Sequence, residues 1–301
     1  MSKATRIRQQ NARERIAAQR AAARRAEIRN QVLIVGGSVL AVIAIVVVIV
    51  IYAVNRNPSS GGGSTSVTGT ALPASVLKDV TGVPESTLNT VGIGSVLSYQ
   101  PSPIVPISGS PLTSNGKPEM LYIGAEYCPY CGAERWAMTV ALSRFGTFSP
   151  LRGIHSSSTD VDPSTPTLTF YKSTYTSPYL VFTPVENETI TKTPLQNTTS
   201  AQQALWVKYD TTTQDGVTSQ GYPFIDFGNK YAVKLPSYDP GTLAGMTWAQ
   251  VAAALHNPSS KVAQAADGTA NFITAAICKM TGGKPGDVCT SAGVKAASAH
   301  L

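Results

Sequence analysis

Residues 120–142 read Met120-Leu121-Tyr122-Ile123-Gly124-Ala125-Glu126-Tyr127-Cys128-Pro129-Tyr130-Cys131-Gly132-Ala133-Glu134-Arg135-Trp136-Ala137-Met138-Thr139-Val140-Ala141-Leu142, and this order decides the fold class. Met120 to Gly124 is a short apolar run that predicts a buried strand. Gly132 to Leu142 is built from good helix formers and predicts a helix. Between them stands Cys128-Pro129-Tyr130-Cys131. A strand, a Cys-x-x-Cys and a helix together separate a redox site from a stray cysteine pair. The free N–H groups and the positive end of the dipole at a helix start favour a thiolate on the first cysteine. Cys131, one turn on, is placed to attack a mixed disulfide made by Cys128. Pro129 suits the first helical turn, where a missing N–H costs little. Two other readings of the pair stay open: half of a zinc site completed by Cys278 and Cys289, and a short structural disulfide. Against zinc, the ten residues between Cys278 and Cys289 do not make a usual ligand hairpin.

Downstream, Gly221-Tyr222-Pro223-Phe224-Ile225-Asp226-Phe227 predicts an apolar strand opened by a proline. Gly228-Asn229 predicts a turn, and Lys230 to Leu235 a returning strand. With the cysteine pair upstream, the chain resembles the thioredoxin superfamily. In that family a proline just before the third core strand has a cis peptide bond and lies against the active-site cysteines. The resemblance implies that role for Pro223, and implies that the backbone of Tyr222 pairs with a bound substrate. An ordinary trans proline at the start of an edge strand is the other reading.

The fold class expected is therefore α/β, a thioredoxin-like sandwich with an insertion between the active-site helix and the cis-proline strand, preceded by one transmembrane helix. Leu151 to His155 or Tyr179 to Thr183 supplies the second core strand, Ala201 to Tyr209 a helix before Pro223, and Thr247 to His256 and Val262 to Met280 the closing helices. Asn257-Pro258 and Gly282-Gly283 mark their ends. The 92 residues from Cys131 to Pro223 leave room for the insertion, placed at 156–198, with strand-like pieces at Thr167–Tyr171 and Tyr179–Thr183. Tyr127 stands where thioredoxins commonly have Trp, so a known member's redox potential does not transfer. Glu126 before the pair, and Pro129 and Tyr130 within it, are supporting residues; Glu126 is near enough in sequence to influence proton transfer, with a solvated carboxylate as the plainer reading.

Longer stretches carry a narrower resemblance. Gly124 to Cys131, Gly153-Ile154-His155-Ser156-Ser157-Ser158, Pro223 to Lys230 and Thr274 to Gly283 together look like one prokaryotic family, domain of unknown function 929, whose members are often membrane-anchored. The similarity covers most of 74–292 and implies no substrate.

All four cysteines lie in this C-terminal part. Cys278 and Cys289 bracket a loop with Gly and Pro after a helix, where a structural disulfide contributes roughly 2–3 kcal/mol in the chain-entropy model. A relay of electrons to Cys128 and Cys131 is the alternative, although nothing flanking the second pair suggests thiolate activation. His155, His256 and His300 are isolated and are given no role.

The formal charge of +7 over 301 residues is unevenly placed. Residues 1–30 hold nine Lys/Arg against Glu14 and Glu27, which leaves fifteen charges of each sign elsewhere. A basic-protein argument for nucleic-acid binding by the main domain therefore has no support. Val32 to Tyr52 is 21 residues without a charge, dense in Val and Ile. As a helix it spans roughly 31 Å, enough for a bilayer core. A signal peptide fits less well, given the thirty-residue basic lead and the absence of a nearby Ala-x-Ala; a buried core helix need not be so uniformly apolar. The reading is a single-pass plasma-membrane protein: basic cytoplasmic tail 1–30, transmembrane helix 31–54, flexible linker 55–73, extracytoplasmic domain 74–292 and tail 293–301. Cysteines confined to an oxidising compartment agree with this topology.

The expected function is a membrane-tethered thiol–disulfide oxidoreductase working on the thiols or disulfides of exported proteins. Cys128 is the attacking and more exposed sulfur and Cys131 the resolving one. No cofactor is needed, only a membrane redox partner to reset the pair. The alternative is a non-catalytic thioredoxin-like binding module whose disulfides are structural.

Overall fold

The computed structural model describes residues 69–214 and 217–301. The basic tail, the apolar run of 32–52 and the linker up to residue 68 lie outside the described residues, and the expected span lies there too. Among the described residues no helix is long and apolar enough to cross a membrane.

In chain order, β1 (Thr70–Ala71) is followed by α1 (Ala74–Thr81), α2 (Glu85–Val91), α3 (Val96–Tyr99), β2 (Val105–Pro106), β3 (Thr113–Ser114) and β4 (Lys117–Gly124). Helix α4 (Pro129–Ser143) leads to β5 (Thr147–Ser149), β6 (Arg152–His155), β7 (Pro166–Thr169), β8 (Thr174–Thr176) and β9 (Val181–Glu186). Next come α5 (Ser200–Asp210), the hairpin β10 (Thr211–Gln214) and β11 (Val217–Gln220), then β12 (Phe224–Phe227) and β13 (Tyr231–Val233). The chain closes with α6 (Trp248–Leu255), a π-helical turn at Ala263–Asp267, α7 (Gly268–Met280), α8 (Gly286–Cys289) and α9 (Ala292–Ser298). The architecture is mixed α/β.

The main sheet runs β2-β13-β12-β4-β3, with β9 also on β4. β4 is antiparallel to β12, where Ile123 faces Phe224, and parallel to β9, where Gly124 faces Glu186. A strand buried on both faces reads as a continuous apolar run, and Met120 to Gly124 is buried throughout. Its side chains alternate between two cores. Met120 and Tyr122 join Trp136, Ala137 and Ile277 of α4 and α7; Leu121 and Ile123 join Val185, Phe224 and Trp206 of α5. Helix α4 is buried on nearly all sides because its small residues Ala133, Ala137 and Ala141 admit close neighbours. In the β12–β13 turn, Gly228 (φ 66°) and Asn229 (φ 57°) are both left-handed, and the Lys230 N–H donates to the Phe227 carbonyl at 3.1 Å. The Tyr222–Pro223 bond is cis, as are Ser149–Pro150 and Lys284–Pro285.

The structure decides one open alternative and corrects three bounds. Of the two candidates for the strand beside β4, the pairing selects 179–183, which overlaps the start of β9; of 151–155, residues 152–155 form β6 in a separate sheet, β1-β6-β7. A parallel partner must return by a long crossover, and residues 125–180, α4 among them, supply it. The stretch 156–198 is consequently not all insertion, since it carries a strand of the main sheet. The boundaries at the two ends also move. Thr70 and Ala71, assigned to the linker, pair with Gly153 and Arg152. The supposed tail 293–301 contains most of α9, which buries Val294 and Ala297. Both segments are too poor in large apolar residues to signal regular structure.

Asp267 ends the π-helical turn fully buried, and neither carboxylate oxygen has a hydrogen-bond partner. Burial alone pushes its pKa up from 3.8 to about 8. A carboxyl with a higher pKa in the native chain than in the unfolded one takes up protons on folding between those values. Its effect on stability is therefore a fall as pH rises from about 4 to about 8. Asp267→Asn should remove that fall, so its advantage over the parent chain grows from near zero at pH 4 to a maximum above pH 8. Thermal melts across the series check this; a pH-independent difference would contradict it.

Candidate functional site

The end of β4 and the start of α4 position the cysteine pair. The backbone leaves the sheet at Gly124, and Cys128 (φ −75°, ψ 120°) is the extended residue that caps α4, with Pro129 first in the helix. The Cys131 N–H donates to the Cys128 Sγ at 3.3 Å, and the Gly132 N–H to the Cys128 carbonyl at 3.0 Å. The cap that Ser or Asp usually supplies is here a sulfur. Both cysteines are free thiols; Cys128 keeps 5% of its surface accessible and Cys131 none.

The two sulfurs are driven apart electrostatically. The Cys128 pKa is lowered by its hydrogen bond with the Cys131 side chain, by the backbone N–H groups of Cys131 and Tyr130 and by the charge of Arg135, against an opposing effect of burial. Burial, together with the hydrogen bond to Cys128, raises Cys131 well above the ordinary thiol range. The same surroundings thus favour a thiolate on Cys128 and disfavour one on Cys131.

Tyr127, Tyr130 and Tyr222 pack around Ala125, Cys128 and Cys131. The rings of Tyr127 and Tyr222 meet edge to face at 6.3 Å, and Tyr222 stacks on Trp206 at 5.1 Å. Asn187 Nδ2 donates to the Tyr222 hydroxyl at 3.0 Å, and Lys192 Nζ stands 4.7 Å from the Tyr127 ring centre. Pro223 leads into β12 where Phe224 faces Ile123, which sets it level with the end of β4. The fold thus brings together Cys128, Pro129, Tyr130, Cys131, Tyr222 and Pro223 from segments about ninety residues apart. Beside Tyr127 opens a cleft of about 560 Å³, lined on one side by His155 to Thr159 and on the other by Ile190 to Lys192. Neither sulfur lines it.

Glu126 is not solvated. It is 1% exposed; Thr169 donates to its Oε1 at 2.7 Å, Oε2 has no partner, and burial raises its pKa to about 7. The charged groups acting on it are Glu186 and Arg135, not the cysteines.

Beneath the pair lie residues that a sequence reading passes over. Arg135, one turn after Cys131, is fully buried and forms a fork with Glu186 of β9: Nε to Oε1 at 2.8 Å and Nη2 to Oε2 at 2.6 Å. Nη2 also donates to the Ala125 carbonyl at 2.7 Å. The guanidinium lies 5.9 Å from the ring centre of Tyr122, whose hydroxyl reaches Cys131. A Cβ at Gly124 would overlap that hydroxyl and press on the Cys131 Sγ at 3.1 Å, so glycine keeps the space open. The only hint of this arrangement in the sequence is an Arg and a Glu within apolar elements.

Cys278, at the end of α7, and Cys289, at the end of α8, form a disulfide with Cα atoms 5.7 Å apart. Both sulfurs being used in that bond, they are not completing a metal site with Cys128 and Cys131.

A buried, unequally poised dithiol at the head of a helix, in a mixed α/β domain, defines the class of site. The chain belongs to the family described as domain of unknown function (DUF929), whose model matches residues 103–279. That match takes in both free cysteines, Pro223 and Cys278, and stops short of Cys289. No curated protein and no solved structure matches the chain.

Removing one partner of a fully buried ion pair strands the other charge and costs about 3–5 kcal/mol. Glu186→Gln should lower unfolding free energy by about 3 kcal/mol or more, read by denaturant titration; a loss under about 1 kcal/mol would show that Arg135 finds another counter-charge.

Proposed function

We propose that the chain is a membrane-tethered thiol–disulfide oxidoreductase of thioredoxin-like fold, acting on exported proteins through Cys128 and Cys131. The observation that carries this reading is the hydrogen bond from the Cys131 N–H to the Cys128 sulfur, at the head of a helix that also holds Arg135. It favours Cys128 as the thiolate that attacks a substrate disulfide. Cys131 then attacks the Cys128 sulfur, and the substrate leaves as a thiol; run backwards, the same steps oxidise a substrate dithiol. A membrane redox partner resets the pair.

The order of elements supports the thioredoxin-like assignment. A strand ends at the cysteine pair, a parallel second strand (β9) and a helix (α5) follow, and Pro223 introduces a third strand that pairs with the first and turns back in a hairpin. Tyr222, immediately before Pro223 and packed against the pair, is suited to contact a bound polypeptide. Support for membrane attachment comes from the uncharged run of 32–52 behind a tail of nine basic residues, a charge asymmetry that favours an extracytoplasmic domain.

A second reading, a binding module with an inert cysteine pair, is favoured by one fact: the tyrosine collar leaves Cys128 only 5% exposed. Equilibration of the full-length chain, in mild detergent, against graded glutathione buffers separates the two. Alkylation and mass measurement should find Cys128 and Cys131 half-oxidised at a potential within about −120 to −270 mV, the span of known oxidoreductases. A pair that stays fully reduced or fully oxidised across that span would overturn the oxidoreductase.

A further inference from the structure

The Tyr122 hydroxyl is wholly buried in β4 and has no hydrogen-bond partner of normal geometry, although the Cys131 sulfur lies beside it. Arg135 repeats the pattern: Nε and Nη2 are fully engaged, and Nη1 has no partner. A buried donor left unsatisfied is costly and calls for an explanation. Two such donors, one touching the resolving cysteine and the other on the guanidinium beneath it, are what a sulfur that becomes negative during a reaction requires. Glycine at 124 fits the same account, because any side chain there would push the hydroxyl and the sulfur apart.

We propose that Tyr122 is a positioning residue for disulfide exchange: its hydroxyl donates to the Cys131 sulfur as that sulfur becomes a thiolate, with Arg135 supplying the positive charge behind it. This deepens the oxidoreductase reading and rests on it. The step concerned is the second one. Cys131 attacks the Cys128 sulfur of the mixed disulfide, the bond from Cys128 to the substrate breaks, and the Cys128–Cys131 bond forms. The departing sulfur takes the electron pair and finally the proton that Cys131 gives up.

Tyr122 keeps its own proton throughout. Burial raises its hydroxyl well above the ordinary value of 10, and Arg135 offsets this only in part, so it acts as a donor and not as a base. The charged and titratable groups facing Cys131 are Cys128 and Arg135 from α4 and Tyr122 from β4, with Tyr127 and Tyr222 beyond; Glu186 of β9 acts on Arg135 and Tyr122. Arg135 is the charge among them that favours a Cys131 thiolate.

The test uses dithiobis(nitrobenzoate) on the reduced full-length chain in detergent. Attack by Cys128 releases one equivalent of thionitrobenzoate; attack by Cys131 on the resulting mixed disulfide releases the second. Tyr122→Phe removes a buried hydroxyl whose neighbour is the Cys131 sulfur and which makes no hydrogen bond of normal geometry, so its melting temperature should stay close to that of the parent. The second release should slow by about tenfold and its pH midpoint should move upward, while the first changes less than about threefold. Equal slowing of both phases, or an unchanged second phase, would overturn the role of Tyr122. A parent chain that never releases the second equivalent would instead sink the oxidoreductase reading itself, and this proposal with it.

Discussion

The Cys131 N–H donates to the Cys128 sulfur at 3.3 Å, and this contact makes Cys128 the cap of a helix that has almost no solvent on any side. An uncapped helix start inside a protein leaves N–H groups without partners. Using a sulfur to satisfy one of them ties the stability of α4 to the chemistry of the site, since the cap is strongest when the sulfur is charged. The buried surroundings act in opposite senses on the two cysteines. The donors to Cys128 lower its pKa despite burial, whereas burial raises that of Cys131 despite the Arg135 charge and a backbone hydrogen bond from Ala125.

The same helix is fixed from below by charge. Arg135 bridges α4 to β9 through Glu186 and to the loop after β4 through the Ala125 carbonyl. These contacts lock together the strand that delivers the cysteines, the helix they begin, and the parallel strand beside them. The interior around them is unusually rich in ionisable groups: Glu126 and Glu134 are pushed to about 7 and Asp267 to about 8, all chiefly by burial. Glu134 is answered by the Ser237 N–H and hydroxyl, whereas Asp267 has nothing to meet it. Polar groups placed so deep must be matched in pairs, and a mismatch is felt through pH.

How much of this a sequence reveals depends on how local the cause is. Met120 to Leu142 is legible because a buried strand, a cap and a helix each leave a signature within a few residues. The hairpin at Gly228-Asn229 is legible for the same reason. The choice between 151–155 and 179–183 as partner of β4 is not, because both are short and apolar and only pairing over some sixty residues decides. Tyr122, Arg135 and Glu186 are equally invisible: each sits in an element that reads as plain core, and their meeting is a property of the folded chain. Glu126 reads as a surface carboxylate because no nearby residue announces Thr169 as its partner. Residues 293–301 look like a tail because Ala, Ser and Gly carry little hydropathy, yet small side chains are what lets α9 pack closely on α7.

In the resting dithiol the surroundings favour a thiolate on Cys128 and disfavour one on Cys131. The rate of iodoacetamide alkylation at each cysteine, followed from pH 4 to pH 10 by mass spectrometry on the full-length chain, measures this directly. Cys128 should react first, with a pH midpoint below the ordinary thiol value of about 8.5, and Cys131 should stay unmodified through neutral pH. A Cys128 midpoint at or above about 8.5, or alkylation of Cys131 ahead of Cys128, would contradict it.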